Sequence, residues 1–189
     1  MAASKAHPEL ADARKLTVTQ LIEAVLILDN HVSKTEFRNA MARVCSPVNV
    51  ITTAGPAGRG GVTATAMCSV SDEPPTLLVC INNKSTQTKL FQTNGKFCVN
   101  VLSAEHQNLA GIFAGSVTKM DDRFVSTEWI EIENKLPALK SAMVSFACEV
   151  IDIQRVASHN IMIGRVFQIH QRADGSPLLY FDRHYVQLN

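Results

Sequence analysis

The sequence predicts a mainly β fold, a closed or split barrel with peripheral helices. Two observations lead there. Strand-length apolar runs, rich in β-branched residues, recur along the chain. Many are apolar on both faces, as buried barrel strands are. The strands also show no regular alternation with helices, and no Gly-x-Gly-x-x-Gly follows one. That disfavours a Rossmann fold and leaves a barrel as the better fit.

Each element follows from its local pattern. Residues 1–15 are small, charged and unpatterned, which predicts a mobile start. Val18, Leu21, Ile22, Val25 and Leu28 repeat at helical spacing and predict an amphipathic helix over 16–28. Ser33 and Glu36 have capping-box spacing. They predict a second helix running through Phe37, Ala40, Met41 and Val44. The β-branched run 48–53 then predicts a strand, and the Gly-Pro-rich 54–61 segment a loop or hairpin turn. Strands are predicted over 61–70, 76–81, 96–102, 143–153, 161–169 and 178–181. A short helix is predicted over 85–92, stopped by Asn94 and Gly95. Ser103 is expected to cap a helix carrying Leu109, Ile112 and Phe113, stopped by Gly115. Asp174 and Gly175 predict a hairpin-like turn.

Composition bounds the function. A chain of 189 residues is most simply one domain with one core. A net charge of +1 with no basic run argues against a nucleic-acid surface. No apolar stretch approaches the roughly 20 residues a membrane span needs. The start lacks a basic segment followed by an apolar run, so no signal peptide is expected. The five cysteines are odd in number and form no C-x-x-C. Buried reduced thiols in a cytoplasmic protein are expected. The six histidines lack metal-ligand spacing, and no metal is expected.

The stretch 63–86 carries the most chemistry. It opens with Thr63, Ala64, Thr65, Ala66, Ser69 and Ser71, turns at Asp72-Glu73-Pro74-Pro75, and ends on Asn82-Asn83-Lys84-Ser85-Thr86 before a helical pattern. Small residues let a flat ligand reach the backbone. Hydroxyls and N–H groups can bind its polar edge, and a helix start can hold phosphate. Side-chain catalysis has little support. No Gly-x-Ser-x-Gly elbow and no His-Glu-x-x-His occurs. Asp121-Asp122 reads as a solvated pair, and Asp72-Glu73 as turn-shaping residues. Cofactor chemistry, where the protein binds and orients, is the better match.

Seven segments then resemble one family. They are Phe37-Arg-Asn-Ala-Met41, Val48-Asn-Val-Ile-Thr-Thr53, the whole of 63–86, Phe97-Cys-Val-Asn-Val-Leu102, Asp122-Arg-Phe124, His159-Asn-Ile-Met-Ile-Gly164 and Tyr180-Phe-Asp-Arg-His-Tyr185. In order and spacing they resemble the flavin reductase components of two-component aromatic monooxygenases, most of all the 4-hydroxyphenylacetate 3-monooxygenase reductase group. The resemblance implies an FMN-binding split barrel over 36–189, with 1–35 as an N-terminal extension. It implies a homodimer with flavin at the subunit interface. It also implies reduction of FAD or FMN by NADH, or NADPH, and release of reduced flavin to a separate oxygenase. A non-catalytic flavin carrier on the same barrel is the alternative.

The resemblance also assigns residues. Thr63, Ala64, Thr65 and Ala66 match the segment facing the flavin ring edge. Cys68, Ser69, Val70 and Ser71 match the part along the ribityl chain, with barrel filling as the other reading for alternate residues such as Met67 and Val70. Lys84, Ser85 and Thr86 match the phosphate turn, with Asn82 beside it and Asn100 as a further flavin contact. Pro47 and Val48 match residues near the ring. His159 matches the histidine on the nicotinamide side, and a lone histidine also has a structural reading. Phe124 and Tyr185 are candidate aromatic walls, with core packing as the other reading. Few charged anchors would suit a flavin that must leave.

Overall fold

The computed structural model describes residues 32–133 and 135–188. The helix expected over 16–28 lies outside the described residues. The chain divides into two compact units, Met1–Met41 and Ala42–Asn189. In the first, the capping box forms as expected. The Glu36 N–H donates to Ser33 Oγ at 3.2 Å, and the Ser33 N–H donates to the Glu36 carboxylate at 2.9 Å. The bonds with Ser33 hold the Glu36 carboxyl below its usual range. Helix α1, Lys34–Met41, follows and stops before Val44.

The second unit holds sheets of seven, three and two strands. Its strands are β1 Ser46–Pro47, β2 Asn49–Thr53, β3 Gly60–Ala64, β4 Met67–Asp72, β5 Pro75–Asn82 and β6 Lys96–Val101. After these come β7 Trp129–Ile132, β8 Leu136–Leu139, β9 Val144–Val156, β10 His159–Gln171, β11 Leu178–Phe181 and β12 His184–Gln187. Short helices α2 Thr88–Asn94, α3 Gln107–Gly111 and α4 Met120–Arg123 lie between them. The large sheet runs β3-β2-β6-β9-β10-β5-β4, antiparallel throughout.

That order makes the sheet a split barrel. Strands β3 and β4 are its two edges, yet Thr65 and Ala66 alone join them. The steps from Ala64 to Met67 reach at most about 11 Å. Seven flat strands would hold the edges roughly 29 Å apart. The sheet must therefore curl until its edges nearly meet. On one side of this seam, Asn49 Nδ2 donates to the Ala64 carbonyl at 3.2 Å. On the other, the Cys80 N–H donates to the Ala66 carbonyl at 3.0 Å. The single strand expected over 61–70 is thus two strands, broken where the chain crosses from edge to edge.

Other expectations shift for physical reasons. The Asp174-Gly175 turn joins no hairpin, because β10 belongs to the large sheet and β11 to the three-stranded one. The pair β7–β8 and the strand β12 were not expected; each strand has four residues, too few to show a period. Helix α2 begins at Thr88, later than the expected Ser85. Its stop is as expected: Gly95 takes φ +66° and its N–H donates to the Phe91 carbonyl.

The barrel interior packs Ile51, Val79, Phe97, Val99 and Met162, with Phe91 of α2 inserted among them. A second cluster holds Val48, Val50, Leu102, Phe113, Phe124 and Leu178, with Trp129, Tyr180 and Tyr185 at its border. All five cysteines are free thiols, but just Cys98 and Cys148 are fully buried, while Cys45 and Cys68 are exposed. Burial drives the Cys148 thiol up to about 12 and Cys98 higher still.

Candidate functional site

The seam of the barrel opens into a cavity of about 690 Å³. One wall is Val62, Thr63 and Ala64 of β3 with the Thr65-Ala66 link. Another is the end of β5, through Cys80, Ile81 and Asn82. The cavity lies there because the crossing leaves a gap between sheet edges, and alanines and threonines leave the backbone at that gap uncovered. Thr63 Oγ1 donates to the Ala110 carbonyl at 2.7 Å and so ties β3 to α3. That bond sets the segment following α3, from which Phe113, Ala114 and Gly115 also line the cavity.

The 84–87 turn forms a polar end. The Lys84 N–H donates to Asn82 Oδ1 at 2.9 Å, and the Ser85 N–H donates to the Asn82 carbonyl at 2.9 Å. Ser85 Oγ accepts the Gln87 N–H at 3.3 Å. Lys84, Ser85 and Thr86 therefore lie on a closed turn ahead of α2, and an anion here would meet the turn and the lysine rather than the helix start.

Aromatic side chains form the remaining walls. Tyr180 and Tyr185 face each other across β11 and β12, with rings 5.5 Å apart. Burial, with Tyr180 nearby, pushes the Tyr185 phenol up, so it stays a neutral hydrogen-bonding group. His159, the first residue of β10, sits beside Asn82 in register. Its Nδ1 shares a hydrogen with Ser158 Oγ at 2.9 Å. Burial, then the neighbouring Cys68, raises the Cys80 thiol, which argues against a thiolate nucleophile here.

Charge decides the ligand class. Among the described residues, the lining includes two cations, Lys84 and Arg123, and no carboxylate. Arg123 is pinned by two carbonyls, Nε donating to Val117 at 2.7 Å and Nη1 to Phe113 at 3.4 Å. A cavity of this size, with one polar cationic end and aromatic walls, suits a flat ring carrying phosphate.

The structure brings together Val48, Thr63, Ala64, Thr65, Ala66, Asn82, Lys84, Ser85, Thr86, His159 and Tyr185. It places the other expected residues elsewhere. Phe124 is core, 5% exposed, packed edge-on against Phe113 at 5.1 Å and covered by the Arg59 guanidinium at 4.3 Å. It backs the aromatic wall instead of forming it. Asn100 is wholly buried and saturated. Its Nδ2 donates to the Val50 carbonyl and Thr52 Oγ1, and its Oδ1 accepts from the Leu139 N–H and Ser145 Oγ. It ties β2, β6, β8 and β9 and has no bond left for a ligand. Cys68, Ser69, Val70 and Ser71 lie on the edge strand β4, outside the cavity lining. Val70 is 51% exposed and so does not fill the barrel either. Pro47 pairs with Leu179 in the small sheet, one residue from the cavity.

Sequence reading missed Phe113, Arg123, Tyr180 and Gln87 as lining residues. Arg123 and Tyr180 stand inside the quoted Asp122-Arg-Phe124 and Tyr180–Tyr185 segments, so the signal was present. Phe113 reads as an ordinary apolar helix position, and nothing local marks it.

A split barrel with an anion-accepting, aromatic-walled cavity at its seam defines a protein built to bind a nucleotide-like cofactor. Residues 41–189 match the family described as flavin reductase like domain. The FMN reductase (NADH) RutF of Cronobacter turicensis is 45% identical over 153 residues, covering 81% of this chain and 92% of that protein. The 4-hydroxyphenylacetate 3-monooxygenase reductase component of Pseudomonas aeruginosa is 43% identical over 153 residues, covering 80% and 90%. The solved structure of flavin reductase PheA2 superposes with a TM-score of 0.75 at 34% identity, covering 84% of this chain and 99% of that one. The chain belongs to the flavin reductase like domain family.

Proposed function

We propose that this chain is an NADH-dependent flavin reductase that supplies reduced FMN or FAD to a separate oxygenase acting on phenol-type aromatics. The seam cavity carries the reading. It combines an uncovered backbone rim, a cationic polar end and aromatic walls, with no carboxylate among the described lining residues. The relatives named FMN reductase (NADH) and monooxygenase reductase component support it. A bound flavin supplies the hydride-accepting ring. In this chain, residues 63–66 with Val48 would border that ring, and Lys84, Ser85 and Thr86 would hold the phosphate. His159 and Tyr185 would border the nicotinamide. Lys84 is a mobile point charge on an exposed turn, which suits a ligand that must dissociate.

Pairing of two copies belongs to the same reading. Ile151 of β9 and Ile169 of β10 are each 53% exposed, and Phe167 is 37% exposed. Apolar side chains exposed on neighbouring strands favour an interface. Light scattering should give a dimer; a monomer at assay concentration would remove this part. The cytoplasm, where the five free thiols stay reduced, is the location we propose.

The decisive experiment is anaerobic NADH oxidation by the purified chain. Oxidation that requires added FMN or FAD supports the reading. Tight flavin binding without NADH oxidation would make the chain a carrier instead. Absence of flavin binding in either redox state would overturn both.

A further inference from the structure

A second cavity begins where the flavin site ends. It holds about 400 Å³, and Ser85 and Thr86 line both spaces. Two cations, Lys89 of α2 and Arg155 at the end of β9, stand in its wall, and no carboxylate among the described residues lines it. Neither cation forms an ion pair among the described residues. This space therefore favours an anion.

A buried amide makes the same point independently. Asn160 lines the second cavity and is 5% exposed. Its side chain makes no hydrogen bond among the described residues. Buried amides are normally paired, so an open one facing a cavity marks a place for a polar ligand group. The neighbouring His159 lines the first cavity. Successive strand residues point to opposite faces. One step along β10 thus serves the two spaces, and the 84–86 turn joins them.

We propose that the second cavity receives the adenylate half of FAD. This rests on the flavin reductase reading above. The shared turn holds the phosphate next to the ribityl chain. Lys89 and Arg155 attract the second phosphate, and the Asn160 amide meets the ribose or adenine. FMN ends at the turn and gains nothing from these three residues, so the chain prefers FAD. The adenylate half of NADH carries the same chemistry and is the competing occupant.

Equilibrium titration of FMN and FAD against the purified full chain tests the assignment, with Lys89→Gln/Arg155→Gln and Asn160→Ala compared with the unaltered protein. Both charge substitutions fall on exposed side chains. The unaltered protein should bind FAD tighter than FMN by about fivefold to tenfold, as two partly solvated charge contacts allow. The double variant should raise the Kd for FAD to that for FMN and leave the Kd for FMN unchanged. Asn160→Ala, checked by thermal unfolding, should weaken FAD alone. Equal affinity for FMN and FAD in the unaltered protein would overturn the assignment while the flavin reading stood. So would a raised KM for NADH in the double variant with both flavin Kd values unchanged, which would give the cavity to NADH. Failure to bind either flavin would overturn the reductase reading itself.

Discussion

Gly61→Ala should destabilise the protein and loosen the flavin site together. Gly61 is buried on β3, paired with Thr52 of β2. A Cβ added there would lie 2.6 Å and 2.8 Å from two Phe113 ring carbons and 3.2 Å from the Ile51 carbonyl oxygen. Phe113 cannot swing away. It is 2% exposed and wedged against Phe124 at 5.1 Å and Trp129 at 5.7 Å. Overpacking of this kind costs about 1–3 kcal/mol. Alanine also restricts the unfolded chain and returns roughly 0.4–1 kcal/mol. The clash wins, with a net loss of about 1–2 kcal/mol, or a Tm lower by about 2–8 °C for a chain of this size. Because Phe113 lines the seam cavity, flavin affinity should fall with it. Thermal unfolding followed by circular dichroism reads the first effect. Emission from Trp129, the single tryptophan, reads displacement of the ring beside it. Phe113→Leu removes the obstructing ring edge, so the double variant should lose less than the sum of the single losses. An unchanged Tm for Gly61→Ala, or strict additivity with Phe113→Leu, would refute the close approach of β3 to this ring.

Three further outcomes follow from the site and its supports. Ser85→Asp sets a negative charge on the turn beside Lys84 and should weaken flavin about fivefold to tenfold in equilibrium titration, from about 1 kcal/mol of screened repulsion; unchanged affinity would move the phosphate elsewhere. His159→Ala should raise KM for NADH more than KM for flavin in steady-state assays, and an equal rise in both would make it a structural residue. His106 should make stability fall in mild acid. It is buried, with Nδ1 accepting from the Ser103 N–H at 3.1 Å and Nε2 sharing a hydrogen with Ser141 Oγ at 2.9 Å. Burial lowers its pKa, Glu105 opposes this in part, and Arg172 adds to it. A base whose folded pKa is depressed is protonated first in the unfolded chain. Its contribution is thus present above the unfolded value of about 6.5 and is lost as pH falls through the folded value. Denaturant titration from pH 7 to about pH 5 should show the decline, and His106→Gln should flatten it.

The parts of this protein legible in its sequence are those written in contiguous residues. The capping box at Ser33 and Glu36 forms because both partners lie within one turn. The strands over 49–53 and 96–101 show as β-branched or apolar runs because burial on both faces leaves no polar alternation to confuse the period. The glycine stop at Gly95 shows because a left-handed residue there is a local requirement. The helix start at 85–88 was displaced because Asn82 and Ser85 satisfy their own turn first, and a helical pattern cannot reveal that competition.

By itself, the sequence determined that this is a mainly β barrel and that residues 63–66 and 82–86 offer small, hydroxyl-bearing and cationic groups to a nucleotide-like ligand. Local propensity and side-chain chemistry suffice for that. Only the tertiary structure decided which residues share the cavity. Curling of the sheet brings its two edges together at Thr65-Ala66 and opens the site there. The same curling leaves Cys68, Ser69, Val70 and Ser71 on an outer edge. It seals Asn100 and Phe124 into the core, and brings Phe113, Arg123 and Tyr180 into the wall from distant parts of the chain. Such juxtapositions depend on strand order and curvature across the whole sheet, which no local run of residues encodes.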